Sequence, residues 1–124
     1  MYDRPLFYQS LYMLVMNKEI CMYKQISNDQ AVELILANKD LIIADVRDSE
    51  SYNAQHIDEA IHLSMEALNA FCESSGKSQP ILVYCTHGIS SQSVAQLLGE
   101  QGFSEVYSLS GGFEEWKTRR VSDK

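Results

Sequence analysis

The sequence predicts an α/β fold: a parallel sheet of about five strands with helices on both faces. Three observations carry this. Strand-like and helix-like patterns alternate along the chain, which is the order that parallel strands joined by crossover helices require. Two strand candidates, at 41–46 and 81–84, carry continuous apolar runs, the first ending in Asp45-Val46-Arg47, as suits strands covered on both faces. The helix candidates between them repeat apolar residues three and four apart, so each has one side to lay on a sheet.

Taken in order, residues 6–16 form an apolar segment that as a helix would span only about 16 Å, roughly half a bilayer's hydrocarbon core, so no membrane span is expected. Asp3 and the lack of a small-x-small cleavage site before Ser27 argue against a secretory signal. Residues 1–21 read as an N-terminal extension, helical because Phe7, Leu11, Leu14 and Val15 fall at helical spacing. The domain proper is expected over 22–118, with 119–124 a C-terminal tail.

Residues 23–26 are a short strand candidate, and Ser27 caps a helix whose Ala31, Val32, Leu34, Ile35 and Leu36 face the core. After the strand at 41–46, residues 51–55 suit one helical turn, 57–63 an extended segment, and Ser64 the cap of a helix carrying Met65, Leu68, Phe71 and Cys72. The small polar run at 74–79 is a surface loop. Pro80 then introduces the 81–84 strand; Ser90 or Ser91 stands near the N-cap of a helix presenting Val94, Ala95, Leu97 and Leu98. Val106 to Leu109 is the last strand, and Gly111-Gly112 precede a final helix holding Phe113 and Trp116.

This order delivers one cysteine, Cys85, to the carboxyl end of a central strand, facing a helix N-terminus, where open α/β sheets gather ligands. Unsatisfied N–H groups and the positive end of the helix dipole lower a thiol's pKa there. The loop that follows, Thr86-His87-Gly88-Ile89-Ser90-Ser91, is composed to receive an anion. Gly88 opens backbone conformations that turn successive N–H groups inward, and the hydroxyls of Thr86, Ser90 and Ser91 are further donors. No acidic residue lies between Cys85 and Leu98. Against this stands an inert buried thiol at the end of a core strand.

A formal charge of -7 argues against nucleic acid or an anionic membrane surface as partner. An anionic substrate would have to be drawn by local N–H groups against that mean field. Three cysteines, an odd number without a C-x-x-C pair, fit a reducing cytoplasm better than a disulfide framework.

Three separated motifs resemble the rhodanese family. Asp45-Val46-Arg47, then Tyr52 and His56-Ile57-Asp58-Glu59-Ala60, resembles its first signature, Asp-x-Arg followed by Gly-His-Ile-x-Gly-Ala; Gln55 and Glu59 stand where the family has glycine. The segment from Cys85 to Ser91 is similar to its active-site loop, and Gly111-Gly112-Phe113-Glu114-Glu115-Trp116 to its closing Gly-Gly-x-x-x-Trp. The loop looks most like that of bacterial single-domain thiosulfate sulfurtransferases of GlpE type. The resemblance implies the rhodanese-like sheet and a two-step reaction. Cys85 takes the outer sulfur of thiosulfate as a persulfide, cradled by Thr86, His87, Gly88, Ile89, Ser90 and Ser91, and passes it to cyanide or a thiol acceptor such as a thioredoxin-like protein. No cofactor is implied beyond that covalent sulfur, and no metal.

Many relatives carry an arginine in the loop; here Ser90 and Ser91 stand instead. Arg47 is expected either to steer the anionic donor or, paired with Asp45, to anchor the strand end. His56 and His62 read as structural, His87 as either a modulator of the thiolate or a rim side chain, Trp116 as a packing anchor and Cys72 as a core thiol. Two alternatives share the fold: a persulfide carrier or non-catalytic interaction module in a sulfur relay, and a cysteine phosphatase. The phosphatase needs an arginine six residues after the cysteine, where this chain has Ser91. A zinc site built on Cys85 and His87 lacks a second ligand pair.

Overall fold

The computed structural model describes residues 21–122. Five strands, β1 (Lys24–Ile26), β2 (Ile42–Asp45), β3 (Ile61–His62), β4 (Ile81–Tyr84) and β5 (Val106–Leu109), form one sheet in the order β1-β5-β4-β2-β3. Every pairing is parallel. The helices are α1 (Asn28–Ala37), α2 (Ser49–Ala54), α3 (Leu68–Ser74), α4 (Ser90–Glu100) and α5 (Gly112–Ser122). The expected extension at 1–21 lies, but for its last residue, outside the described residues.

β4 is the middle strand, and all four of its residues are buried. Its side chains alternate between two cores. Ile81 and Val83 pack with Val94, Ala95 and Leu98 of α4 and Leu68 and Cys72 of α3. Leu82 and Tyr84 pack with Ala31 of α1 and Phe113 and Trp116 of α5. This two-sided burial is the cause of the unbroken apolar run in the sequence.

Local chemistry sets the helix starts. Ser27 accepts the Gln30 N–H at 3.2 Å while Gln30 Oε1 accepts the Ser27 N–H at 2.9 Å, a reciprocal cap that opens α1. Asp48 accepts the Ser51 N–H at 2.7 Å, so α2 begins at Ser49, ahead of the turn expected at 51–55.

Four expectations are corrected. Leu36 is 78% exposed: five residues beyond Ala31, it falls about 140° around the helix from the core-facing side. The segment 57–63 is not extended throughout, because Ala60 N–H bonds Ile57 O at 2.9 Å and reverses the chain at Asp58-Glu59. Met65 is exposed, and Ser64 caps only the turn that leads into α3 at Leu68. At the other end, α5 runs past 118, where the tail was expected to begin, to Ser122.

The turn at Asp58-Glu59 puts Glu59 in the left-handed region, φ 70°, at a position where the resemblance led us to expect glycine. The reversal forms with glutamate there, at a backbone cost of about 1–2 kcal/mol.

Candidate active site

Three elements meet at the carboxyl end of β4: the strand itself, α4 and the start of α5. Cys85 follows Tyr84 and is 5% exposed. α4 begins at Ser90 with Ile89 in the capping position and no side-chain cap. Ser90 and Ser91 thus stand next to the N-cap, as expected, but neither hydroxyl caps the helix. An N–H of its first turn turns to the thiol instead, with Ser91 N 3.2 Å from Cys85 Sγ.

The sulfur's surroundings work in opposite directions. Burial pushes the Cys85 thiol up; the nearby hydroxyls of Ser90 and Ser91 and the N–H groups of Ser91 and Gly88 outweigh it and bring the thiol below its ordinary value. Cys72, buried in the α3 core, goes the other way, because burial raises it without such donors. Cys21 is exposed.

Why the loop directs N–H groups inward is visible in where its carbonyls go. Phe113 N–H, at the start of α5, bonds Cys85 O at 2.8 Å, and Glu114 N–H bonds Thr86 O at 3.0 Å. Gln92 Nε2 donates to Gly88 O at 2.8 Å. With three carbonyls held from behind, the N–H groups of Gly88 and Ser91 face the sulfur. Only glycines allow this approach. A Cβ on Gly88 (φ 85°) would lie 2.7 Å from Gly111 N, and one on Gly112 (φ 63°) 2.5 Å from Thr86 O and 2.6 Å from Cys85 O.

Of the loop residues named from sequence, Gly88 and Ser91 are buried beside Cys85; Thr86, His87, Ile89 and Ser90 are exposed on the rim, Ile89 at 74%. Thr86 contributes its carbonyl to α5, and the hydroxyls that lower the thiol are those of Ser90 and Ser91.

Arg47 has the contacts of a structural residue. Its side chain is 8% exposed; Nε lies 3.1 and 3.2 Å and Nη2 2.8 Å from the fully buried Asp45 carboxylate, and Nη2 also donates to Gln55 O at 2.6 Å. The guanidinium lies 4.3 Å from the Phe113 ring centre, so it steadies the residue whose N–H holds the Cys85 carbonyl. His56 Nδ1 donates to Tyr52 O at 2.6 Å and its ring stacks on Tyr52, while His62 Nε2 donates to Arg47 O at 2.7 Å. Among the described residues, no group of three or more His, Cys, Asp or Glu side chains is placed to hold a metal ion.

Sequence reasoning missed two contributors. One is the N–H pair of Phe113 and Glu114, which the Gly-Gly motif announces only through the close approach it allows. The other is Ser108 on β5, buried completely and 2.8 Å from Ser91 Oγ. Its signal is a small polar residue at a core-facing strand position.

The family model described as "Rhodanese-like domain" matches residues 27–119. The chain is 62% identical over 96 residues to a protein of Coxiella burnetii named thiosulfate sulfurtransferase GlpE, covering 77% of this chain and 89% of that one. It is 47% identical to the Shewanella oneidensis protein of the same name, over 76% and 92% of the two chains. A crystal structure of a rhodanese-like domain protein from Staphylococcus aureus superposes with TM-score 0.67 at 26% identity, covering 75% of this chain and 90% of that one.

Proposed function

This chain belongs to the rhodanese-like domain family, and we propose that it is a thiosulfate sulfurtransferase whose nucleophile is Cys85. The observation that carries the reading is the Ser91 N–H 3.2 Å from the Cys85 sulfur, at a thiol that the neighbouring hydroxyl and N–H groups hold below its ordinary value, in a chain so close to proteins named for that activity.

The thiolate attacks the outer sulfur of thiosulfate. The S–S bond of thiosulfate breaks, sulfite leaves with the electron pair, and a persulfide anion remains on Cys85. Gly88 and Ser91 N–H groups and the start of α4 stabilise the negative sulfur before and after transfer. Cyanide or a thiolate then attacks the outer persulfide sulfur, and the Cys85 thiolate returns. No residue between Cys85 and Leu98 carries a permanent positive charge. In this reading the donor's anionic oxygens are bound by main-chain and hydroxyl groups. A reducing cytoplasm suits three cysteines that are free, and a thioredoxin-like protein is an acceptor of the right chemistry. No helix among the described residues is long and apolar enough to cross a membrane.

The phosphatase alternative has nothing to hold a phosphoryl group bidentately: Ser91, where the arginine would stand, is buried and bonded to Ser108. The test is incubation with thiosulfate followed by intact-mass and peptide analysis. One added sulfur atom on Cys85, removed by cyanide with release of thiocyanate, is the expected result; sulfur on Cys72 or Cys21 instead, or on none, rejects the assignment.

A further inference from the structure

Ser108 lies opposite Val83 in the β4–β5 register, and its β5 neighbour on the same face, Val106, packs in the α3–α4 core. A fully buried hydroxyl costs free energy at such a position unless it is bonded. Its partner is Ser91 Oγ, equally buried, at 2.8 Å. Ser91 in turn gives its N–H to the Cys85 sulfur at 3.2 Å, and its hydroxyl is among the groups that lower the thiol.

The protons in this chain have a required sense. A thiolate has no proton and can only accept. If Ser91 turns its single hydroxyl proton to the ionised sulfur, it can meet Ser108 only as an acceptor, and Ser108 is then the donor. Hydrogen bonds aligned in this way strengthen one another in a dry interior. If Ser108 lacked its hydroxyl, the Ser91 rotor would lose the partner that fixes it.

We propose that Ser108 is a positioning residue for sulfur transfer: by donating to Ser91 Oγ it keeps the Ser91 proton on Cys85 and enlarges the thiolate population at neutral pH. This rests on Cys85 being the reacting thiolate. The ionisable groups on the surrounding elements are His87 in the loop, Glu114 and Glu115 on α5, Tyr84 and Tyr107 on the opposite sheet face, and the Asp45–Arg47 pair at the end of β2. Glu114 pairs with Lys117, Glu115 accepts from Asn28, Tyr107 donates to Glu105 and Tyr84 bonds Ile57 N–H. The sulfur's hydrogen bond comes from Ser91 N–H, and Gly88, Ser90 and Ser91 are the groups that lower it.

The test is the pH dependence of Cys85 alkylation by iodoacetamide, read by peptide mass, with sulfur transfer from thiosulfate to cyanide measured over the same range. The proteins are the full chain, Ser108→Ala, Ser108→Thr, Ser108→Val, Ser91→Ala and the double variant Ser91→Ala/Ser108→Ala. Ser108→Ala is expected to raise the midpoint by about half to one pH unit, a roughly three- to tenfold loss of thiolate below both midpoints. Its kcat/KM should fall in step near neutrality and recover to at least the unmodified value above both midpoints, because a more basic thiolate is no weaker a nucleophile. Ser108→Thr should restore the profile, and in the Ser91→Ala background the second substitution should add no shift.

An unchanged midpoint in Ser108→Ala, or an activity loss equal at every pH, overturns the proposal and leaves Cys85 as nucleophile untouched. A midpoint in the unmodified chain at or above about 8.5 rejects both. If Ser108→Ala does not fold, Ser108→Thr against the isosteric Ser108→Val makes the same comparison, and coincident profiles there are equally fatal.

Discussion

Replacing Gly112 with alanine tests whether the start of α5 holds the active-site loop in place. The added Cβ would meet Thr86 O at 2.5 Å and Cys85 O at 2.6 Å, with the backbone at φ 63°. An alanine in that conformation costs about 1–2 kcal/mol. Relieving the contacts moves the loop or α5 by roughly 1 Å, which breaks or weakens the Phe113–Cys85 and Glu114–Thr86 bonds, each with a net worth of about 1 kcal/mol. Alanine's smaller freedom in the unfolded chain returns about 0.4–1 kcal/mol. The net expectation is a destabilisation of roughly 2–3 kcal/mol, summed from these same contributions. A loop displaced by about 1 Å also misplaces the nucleophile, for which a loss on the order of a hundredfold in kcat is the expected scale. Urea unfolding gives the first quantity; initial rates of sulfur transfer to cyanide, at temperatures where the variant is fully folded, give the second. A variant with the original unfolding midpoint and kcat within about twofold would refute the claim that this close approach builds the site.

Three further outcomes follow from the same geometry. Cys85→Ala should abolish sulfur transfer and remain folded, whereas replacing Cys21 and Cys72 together should keep most activity; appreciable turnover without Cys85, followed as thiocyanate release, contradicts the mechanism. Glu59→Gly should raise stability by about 0.5–1 kcal/mol, the left-handed penalty removed less glycine's extra freedom in the unfolded state, with activity unchanged; a lower melting temperature would count against it. Arg47→Ala should cost roughly 3–5 kcal/mol in urea unfolding because it leaves Asp45 buried without its partner. A stable variant with only a raised KM for thiosulfate would restore Arg47 to anion steering.

The sheet and the position of Cys85 were legible because their causes are local. A short apolar run introduced by Pro80 suits a strand covered on both faces, Ser27 is of a residue type that caps helices, and the loop after Cys85 is made of small donors. What escaped depends on distant partners. Ser108 shows only as a small polar residue at a core-facing strand position, and its partner is not visible until α4 is laid against β5 and Ser91 arrives. The reversal at Glu59 is enforced by Ala60 reaching Ile57 O, against the residue's own preference, and a preference scale reads it as extended. Leu36 misled because a ten-residue helix with six apolar residues has more of them than one side can hold.

The loop that carries Cys85 is anchored through main-chain carbonyls and two glycines, while the side chains of Thr86, His87 and Ile89 stand outside that framework. A scaffold of this kind separates heritable chemistry from heritable recognition. Substitutions at the three outer positions change the shape and charge met by an incoming acceptor and leave the donors around the sulfur where they were. Acceptor preference can therefore drift among descendants of one ancestor at little cost to sulfur capture, and a library randomised at 86, 87 and 89 would be a compact starting point for redirecting the transfer to a chosen thiol.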